Sequence, residues 1–140
     1  MPELPLTGGC NCGAVRYELT EPPAKSTYCH CTRCQRRTGT AASPSAVVVP
    51  GTFHVTHGED RMKFWKPEEG AEKWFCGDCG SALFAHGSGD PEWYAIRFGS
   101  FDTDPGVRPS AHAFVDSAAS WESLPDDGLP RFPGRRPADA

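Results

Sequence analysis

The sequence predicts a single domain of mainly β structure with long loops. Short runs in which apolar and polar residues alternate recur along the chain, a period typical of half-buried strands. Turn-forming residues, among them 15 glycines and 14 prolines, separate these runs about every 8–12 residues, which is the spacing of all-β folds. A length of 140 residues suits one domain, and no repeat of fixed period divides the chain.

The first four predicted strands follow from local patterns. In residues 14–19 apolar side chains alternate with polar neighbours, so we expect one face to be buried. The β-branched run 46–49 is stopped by a Pro-Gly turn, and residues 53–55 alternate up to a His-Gly turn. Alternation resumes in residues 62–64 and ends before Pro67.

Four further strands complete the predicted sheet structure. Residues 73–76 and 82–86 flank a C-x-x-C turn, and residues 93–98 and 111–115 follow it. Turn signals separate these runs as they separate the first four.

The chain offers one clear helix and one tail. The helix is predicted over Thr32–Thr38 and is ended by Gly39. Beyond residue 128, three prolines and an Arg-Arg pair predict an extended or disordered segment. We therefore expect one domain over 1–128 and a tail over 129–140.

Composition excludes several classes of function. The net charge of −4 makes the chain a poor ligand for polyanions, so a nucleic-acid partner is not expected. No stretch approaches the roughly 20 apolar residues that span a bilayer, so no membrane partner is expected either. The N-terminal residues lack the pattern of a signal peptide, which predicts a cytoplasmic protein.

The seven cysteines indicate metal chemistry. An odd number without an export signal argues against a disulfide framework. They fall into three groups: Cys10 and Cys12; Cys29, Cys31 and Cys34; and Cys76 and Cys79. Thiolate-rich sites favour zinc, and the sequence has no run of the ferredoxin type that would favour an iron–sulfur cluster.

Counting ligands divides the cysteines into two sites. The C-x-x-C turn of Cys76 and Cys79, closed by Gly80, supplies two sulfurs, and Cys10 with Cys12 supplies two more. Four sulfurs make a closed structural zinc site. The remaining three make a second site, which is either open and catalytic or closed by a fourth ligand. Candidates for that ligand are His30, His86, His112 and an acidic residue.

These residues resemble a known family. The stretches GGCNCGAVRY (8–17), CHCTRCQRRTG (29–39), FCGDCGSALF (75–84) and the segment 112–133 are similar, in order, to the glutathione-dependent formaldehyde-activating family, which includes centromere protein V-like domains. The resemblance implies a zinc-stabilised β-tent type fold with short helical turns and long loops. It also implies two Zn²⁺ per chain: a structural ion on Cys10, Cys12, Cys76 and Cys79, and a catalytic ion on Cys29, Cys31 and Cys34.

The resemblance further implies a carbon–sulfur lyase or synthase that joins a small thiol, glutathione or a similar one, to formaldehyde. Arg36 and Arg37 are candidate partners for substrate charge, and the alternative for both is a solvated helix face. Two other functions stay open: a non-catalytic zinc-stabilised binding module, and a thiol redox switch. The strand predicted at 46–49 offers an edge through which a homodimer can form, which is a hypothesis only.

Overall fold

The computed structural model describes residues 2–87 and 89–140 and confirms the mainly β fold class. Helical structure over these residues is limited to α1 (Thr32–Thr38) and three short 3₁₀ turns, at Glu59–Arg61, Phe98–Ser100 and Val115–Ser117. The strands are β1 Leu6–Gly9, β2 Arg16–Leu19, β3 Lys25–Cys29, β4 Ser43–Val47, β5 Phe53–His57, β6 Met62–Trp65, β7 Glu72–Cys76, β8 Ala82–Gly87, β9 Asp90–Arg97 and β10 His112–Ala113. None of the described helices has the length or apolar character needed to cross a membrane.

The described residues form two compact units, each built from two separate stretches of chain. The first unit, residues 2–24 and 46–107, contains a three-stranded antiparallel sheet in the order β1-β2-β5 and the antiparallel strands β6 to β9, each paired with the next. Its core consists of alternate residues of these strands, including Tyr17, Leu19, Leu83 and Ile96, all at most 1% exposed. The alternating apolar residues of these strands therefore form the core of this unit, as the sequence predicts.

The second unit comprises residues 25–45 and 108–140. In it β10 runs parallel to β3, with His112 opposite Tyr28 and Ala113 opposite Cys29. Helix α1 has the predicted bounds, and it ends because Gly39 adopts the left-handed conformation (φ 69°) and donates its N–H to the carbonyl of Gln35.

The C-terminal segment that the sequence assigns to a tail is hydrogen bonded within this second unit. The N–H of His112 donates to the carbonyl of Pro130 at 2.9 Å, and the N–H of Phe132 donates to the carbonyl of His112 at 2.8 Å. Further along, Arg136 donates to the carbonyl of Ser26 at 3.0 Å. Residues 130–136 therefore extend alongside β10 and the start of β3.

Two strands were not predicted, and their composition explains why. Strand β1 reads LTGG and β3 reads KSTYC, so neither offers the apolar alternation or β-branched run that marks a strand. Strand β4 lies at 43–47 rather than the predicted 46–49, and it begins on Ser-Pro, which does not favour strand. Pairing with neighbouring strands outweighs weak local preference here.

Candidate metal centres

The first cluster joins cysteines from two distant turns of the first unit. The sulfurs of Cys10, Cys12, Cys76 and Cys79 all lie within 4.8 Å of one another. Cys10 and Cys12 occupy the turn between β1 and β2, while Cys76 ends β7 and Cys79 lies in the turn to β8. Cys76 is fully buried, whereas Cys12 and Cys79 are exposed. The cluster therefore lies at the surface, with its inner side against the core.

Backbone groups support these sulfurs as acceptors. The N–H of Val15 donates to Cys10 Sγ at 3.2 Å, and the N–H of Asp78 donates to Cys76 Sγ at 3.4 Å. Ser81 connects the two turns, since its hydroxyl oxygen accepts the N–H of Asn11 at 3.1 Å and lies 3.2 Å from Cys79 Sγ. Donors directed at sulfur favour the thiolate form, which is the form that binds metal.

The spacing of the sulfurs fits a tetrahedral metal site. Cys10 and Cys12 sulfurs are 3.6 Å apart, and Cys12 and Cys76 sulfurs are 3.8 Å apart. A disulfide would require about 2.05 Å. Four sulfurs at about 2.3 Å from a central zinc lie about 3.8 Å apart in a tetrahedron. The two observed separations therefore match those of a tetrahedral zinc site.

The thiols of the first cluster differ in pKa because their sulfurs lie close together. Hydrogen bonds from the Ser81 side chain and backbone lower the pKa of Cys79 to about 5. The N–H of Ala14 acts to lower the pKa of Cys12, but the neighbouring Cys10 sulfur raises it to about 12. The negative charge of one thiolate thus disfavours ionisation of the next thiol. A divalent cation at the centre would relieve that repulsion.

The second cluster lies at the junction of β3 and α1 in the second unit. The sulfurs of Cys29, Cys31 and Cys34 lie within 4.8 Å of one another. Cys29 ends β3, and Cys31 caps α1, its sulfur accepting the N–H of Cys34 at 3.3 Å. Hydrogen bonds with the Cys29 and Cys34 sulfurs lower the pKa of Cys31 to about 2, whereas the Cys31 and Cys34 sulfurs raise the pKa of Cys29. Cys31 therefore ionises before Cys29.

No fourth protein ligand joins this cluster among the residues that the structure describes. No His nitrogen or carboxylate oxygen within residues 2–87 and 89–140 lies with all three sulfurs inside the 4.8 Å group. Because side chains alternate along a strand, His30 and Tyr28 lie on the opposite face of this segment from Cys29. The sequence offered His30 and His112 as closing ligands in this unit, but the two are hydrogen bonded to each other.

His30 and His112 form a buried hydrogen-bonded chain that ends at Asp127. His30 Nε2 is 2.8 Å from His112 Nδ1, and His112 Nε2 is 2.7 Å from Asp127 Oδ2. The ring of Tyr28 stacks on that of His112 with centroids 5.0 Å apart. Burial, followed by the nearby His112, lowers the pKa of His30, while the hydrogen bond from His112 lowers the pKa of Asp127. The third candidate, His86, lies in the first unit, where its ring stacks on Tyr94.

Sequence reasoning missed Asp127 and Gln35, which hold the second cluster's surroundings in place. Gln35 Nε2 donates to the carbonyls of His30 and Ser117, each at 2.9 Å, and so fixes α1 against two neighbouring segments. Asp127 lies in a Pro-Asp-Asp-Gly stretch that has only the composition of a turn. No local signal distinguishes it from its neighbour Asp126.

The two candidate arginines lie on different sides of α1. At about 100° per residue, Arg37 lies about 60° from Cys34 around the helix axis, whereas Arg36 lies about 160° from it. Arg37 is partly buried and Arg36 is exposed. The helix therefore presents Arg37, rather than Arg36, on the side of Cys34.

Fold and clusters together define a mainly β protein with two cysteine clusters that can hold metal ions. The family model described as glutathione-dependent formaldehyde-activating enzyme matches residues 5–117. The chain therefore belongs to the glutathione-dependent formaldehyde-activating enzyme family, as the cysteine motifs predict.

Two known proteins resemble the chain over most of its length. A Halomonas elongata protein, whose provisional name is glutathione-dependent formaldehyde-activating enzyme, is 27% identical over 129 residues, covering 85% of this chain and 80% of that protein. The crystal structure of a Rhodobacter sphaeroides protein matches with a TM-score of 0.58 and 25% identity, covering 89% of this chain and 98% of the other.

Proposed function

We propose that the protein is a zinc-dependent enzyme that forms and cleaves the carbon–sulfur bond of an S-hydroxymethyl thiol, made from formaldehyde and glutathione or a similar small thiol. The observation that carries the proposal is the unequal ligand count of the two clusters, four sulfurs in one and three in the other. A complete set suits a structural ion, and an incomplete one leaves a coordination position for substrate. Membership of a family named for formaldehyde and glutathione supplies the substrate class.

Cys10, Cys12, Cys76 and Cys79 would hold the structural ion, and Cys29, Cys31 and Cys34 the catalytic one. The sulfur-only donor sets fit zinc better than a harder cation. A zinc ion on the three-cysteine set would lower the pKa of an incoming thiol and withdraw electron density from an aldehyde oxygen.

The reaction balances without an oxidant or reductant. In the forward direction the thiol sulfur bonds to the formaldehyde carbon, and the carbonyl π electrons move to oxygen. The thiol proton ends on that oxygen, giving the S-hydroxymethyl product. Cleavage reverses each of these movements.

The protein's own residues would hold and orient the substrate. Three thiolates around one divalent ion leave a local charge of −1, so a cation nearby favours binding of a further thiolate. Arg37 lies on the Cys34 side of α1 and is the better placed of the two candidate arginines to pair with a substrate carboxylate. The hydrogen bonds of Gln35 and the His30–His112–Asp127 chain would keep the β3–α1 junction rigid.

The proposal also predicts a cytoplasmic protein, because glutathione keeps thiols reduced in that compartment. Thiolate ligands and a thiol substrate both require such conditions. Its partners would be small molecules, a thiol and an aldehyde.

The test is the exchange rate between free formaldehyde and its glutathione adduct, measured by ¹³C exchange NMR with labelled formaldehyde. The wild-type protein should raise this rate above the spontaneous reaction. Cys31→Ser should return it to the spontaneous rate while the circular dichroism spectrum stays that of the wild type. Asp126→Asn, an exposed change in the same unit, serves as the control and should keep the wild-type rate.

One result would contradict the catalytic proposal while leaving zinc binding intact. If the wild-type protein binds two zinc ions and leaves the exchange rate at its spontaneous value, the catalytic proposal is wrong. The non-catalytic binding module then becomes the better interpretation.

A further inference from the structure

A further candidate site, apart from the two cysteine clusters, lies wholly within the first unit, in a cavity of about 420 Å³. It opens between β5 and the face of the sheet formed by β7, β8 and β9. Four aromatic side chains line it: Phe53, Trp74, Phe84 and Tyr94. The cysteines of the first cluster are not among the lining residues.

Strand register explains why the aromatic rings converge. Trp74 pairs with Phe84, and His86 pairs with Tyr94, so these side chains project from one face of adjacent strands. Trp74 and Phe84 stack with centroids 6.0 Å apart, and His86 and Tyr94 stack at 4.0 Å. Phe53 closes the opposite side, 4.7 Å from Tyr94. The walls are held in position by these mutual contacts.

The surroundings of the cavity are acidic. Glu59 lines it, and Glu72 accepts the indole N–H of Trp74 at 3.1 Å. Burial raises the pKa of Tyr94, and the nearby carboxylates of Glu59, Glu72 and Glu92 raise it further. No lysine or arginine is among the described residues that line the cavity.

Two histidines, His54 and His86, also line the cavity. His86 Nδ1 lies 3.1 Å from the carbonyl of Trp93, so that nitrogen carries the hydrogen and donates. His54 is exposed at the rim. Glu59 is the acidic side chain among the described lining residues.

We propose that this aromatic cavity binds an organic cation, an ammonium group that carries methyl or other small apolar substituents. The faces of Trp, Tyr and Phe rings carry partial negative charge and attract such cations, most strongly when water is excluded. The methyl substituents fill the apolar walls, and the carboxylates near the rim balance the charge. An anion would meet repulsion from the same carboxylates, and a neutral ligand would gain only the apolar contact.

The test compares choline with its uncharged isostere 3,3-dimethyl-1-butanol by isothermal titration calorimetry at pH 8. The two probes have the same shape and differ in charge, so the ratio of their affinities isolates the cation. Choline should bind with a 1:1 stoichiometry, and the alcohol should bind at least about tenfold more weakly.

Substitutions in and outside the cavity test whether choline binds there. Glu59→Gln removes one rim carboxylate from an exposed 3₁₀ turn and should weaken choline severalfold while leaving the affinity for the alcohol unchanged. Trp74→Leu should abolish choline binding. Trp65→Leu is the matched control, because Trp65 is 47% exposed and does not line the cavity, and it should bind choline as the wild type does.

Three results would overturn the proposal. Equal affinities for choline and the alcohol would show an apolar cavity without cation selectivity. Absence of binding at millimolar choline would show a groove without this function. Unchanged choline affinity in Glu59→Gln and Trp74→Leu, with both variants folded, would place the ligand elsewhere.

Discussion

Gly58 shows how one residue controls the approach of two loops next to the first cysteine cluster. It follows β5 with φ 75°, a left-handed conformation that residues with a side chain rarely adopt. A Cβ at this position would overlap the carbonyl oxygen of Ala14, in the loop that carries Cys12. Gly58 also precedes Glu59, at the rim of the aromatic cavity. Both the turn and the close approach require glycine here.

Gly58→Ala should lower the free energy of unfolding by at least about 3 kcal/mol, since it adds backbone strain and a steric overlap. Gly51→Ala is the matched control: its φ is 82°, but a Cβ there meets no atom within 4 Å. It should cost about 1–2 kcal/mol from backbone strain alone. Urea unfolding of both variants measures the difference, and equal losses would show that the contact with Ala14 is unimportant.

At the scale of elements, the end of β3 serves two purposes on its two faces. One face carries Cys29 to the second cluster, and the other carries Tyr28 and His30 to the buried chain with His112 and Asp127. Because His112 lies on β10, its bond to His30 adds a side-chain connection to a parallel pairing of only two residues per strand. The position of the cysteines therefore depends on contacts made by the residues next to them.

His112→Phe should lower the free energy of unfolding by about 1–3 kcal/mol. Phenylalanine can keep the stacking on Tyr28, but it leaves the buried ring of His30 without the hydrogen bond it makes to His112. Urea unfolding measures the loss. A change of only a few tenths of a kcal/mol would indicate that water replaces His112 as the partner.

Two neighbouring acids give the matched comparison for the same chain of hydrogen bonds. Asp127→Asn should lower the melting temperature, because the amide replaces a charged acceptor that lies 2.7 Å from His112 Nε2. Asp126→Asn, one residue earlier and exposed, should leave the melting temperature unchanged. Equal effects of both changes would assign the result to net charge rather than to the bond.

At the scale of the whole molecule, the two clusters differ in what they connect. The first draws together turns 64 residues apart in sequence, Cys12 and Cys76, next to the main core. The second joins cysteines that lie within six consecutive residues. A metal bound in the first cluster would therefore close a long loop, and its binding free energy would contribute directly to folding.

Cys79→Ser should reduce the zinc content by one ion per chain and unfold most of the protein, because the exposed Cys79 completes the four-sulfur set. Cys31→Ser should also lose one ion but keep the folded spectrum. Metal analysis by mass spectrometry together with circular dichroism measures both properties. Equal destabilisation by the two changes would contradict the division into a structural and a catalytic ion.

Local signals were enough for the features that depend on neighbours in sequence. The bounds of α1 follow from a short helical segment and Gly39. The division of the cysteines, which joins turns far apart in sequence, follows instead from counting the four ligands that zinc requires. The strands with alternating apolar residues, such as β2 and β5, were also predictable because burial of one face imposes that pattern.

Features that depend on distant partners were decided by the tertiary structure. Strands β1 and β3 are extended because neighbouring strands satisfy their backbone hydrogen bonds, not because their residues prefer it. The pairing of His30 with His112, 82 residues away, and the convergence of Phe53 with Tyr94 arise from strand order and register. Sequence alone identifies the chemical groups, but strand order and register, which depend on long-range pairing, decide which of them meet.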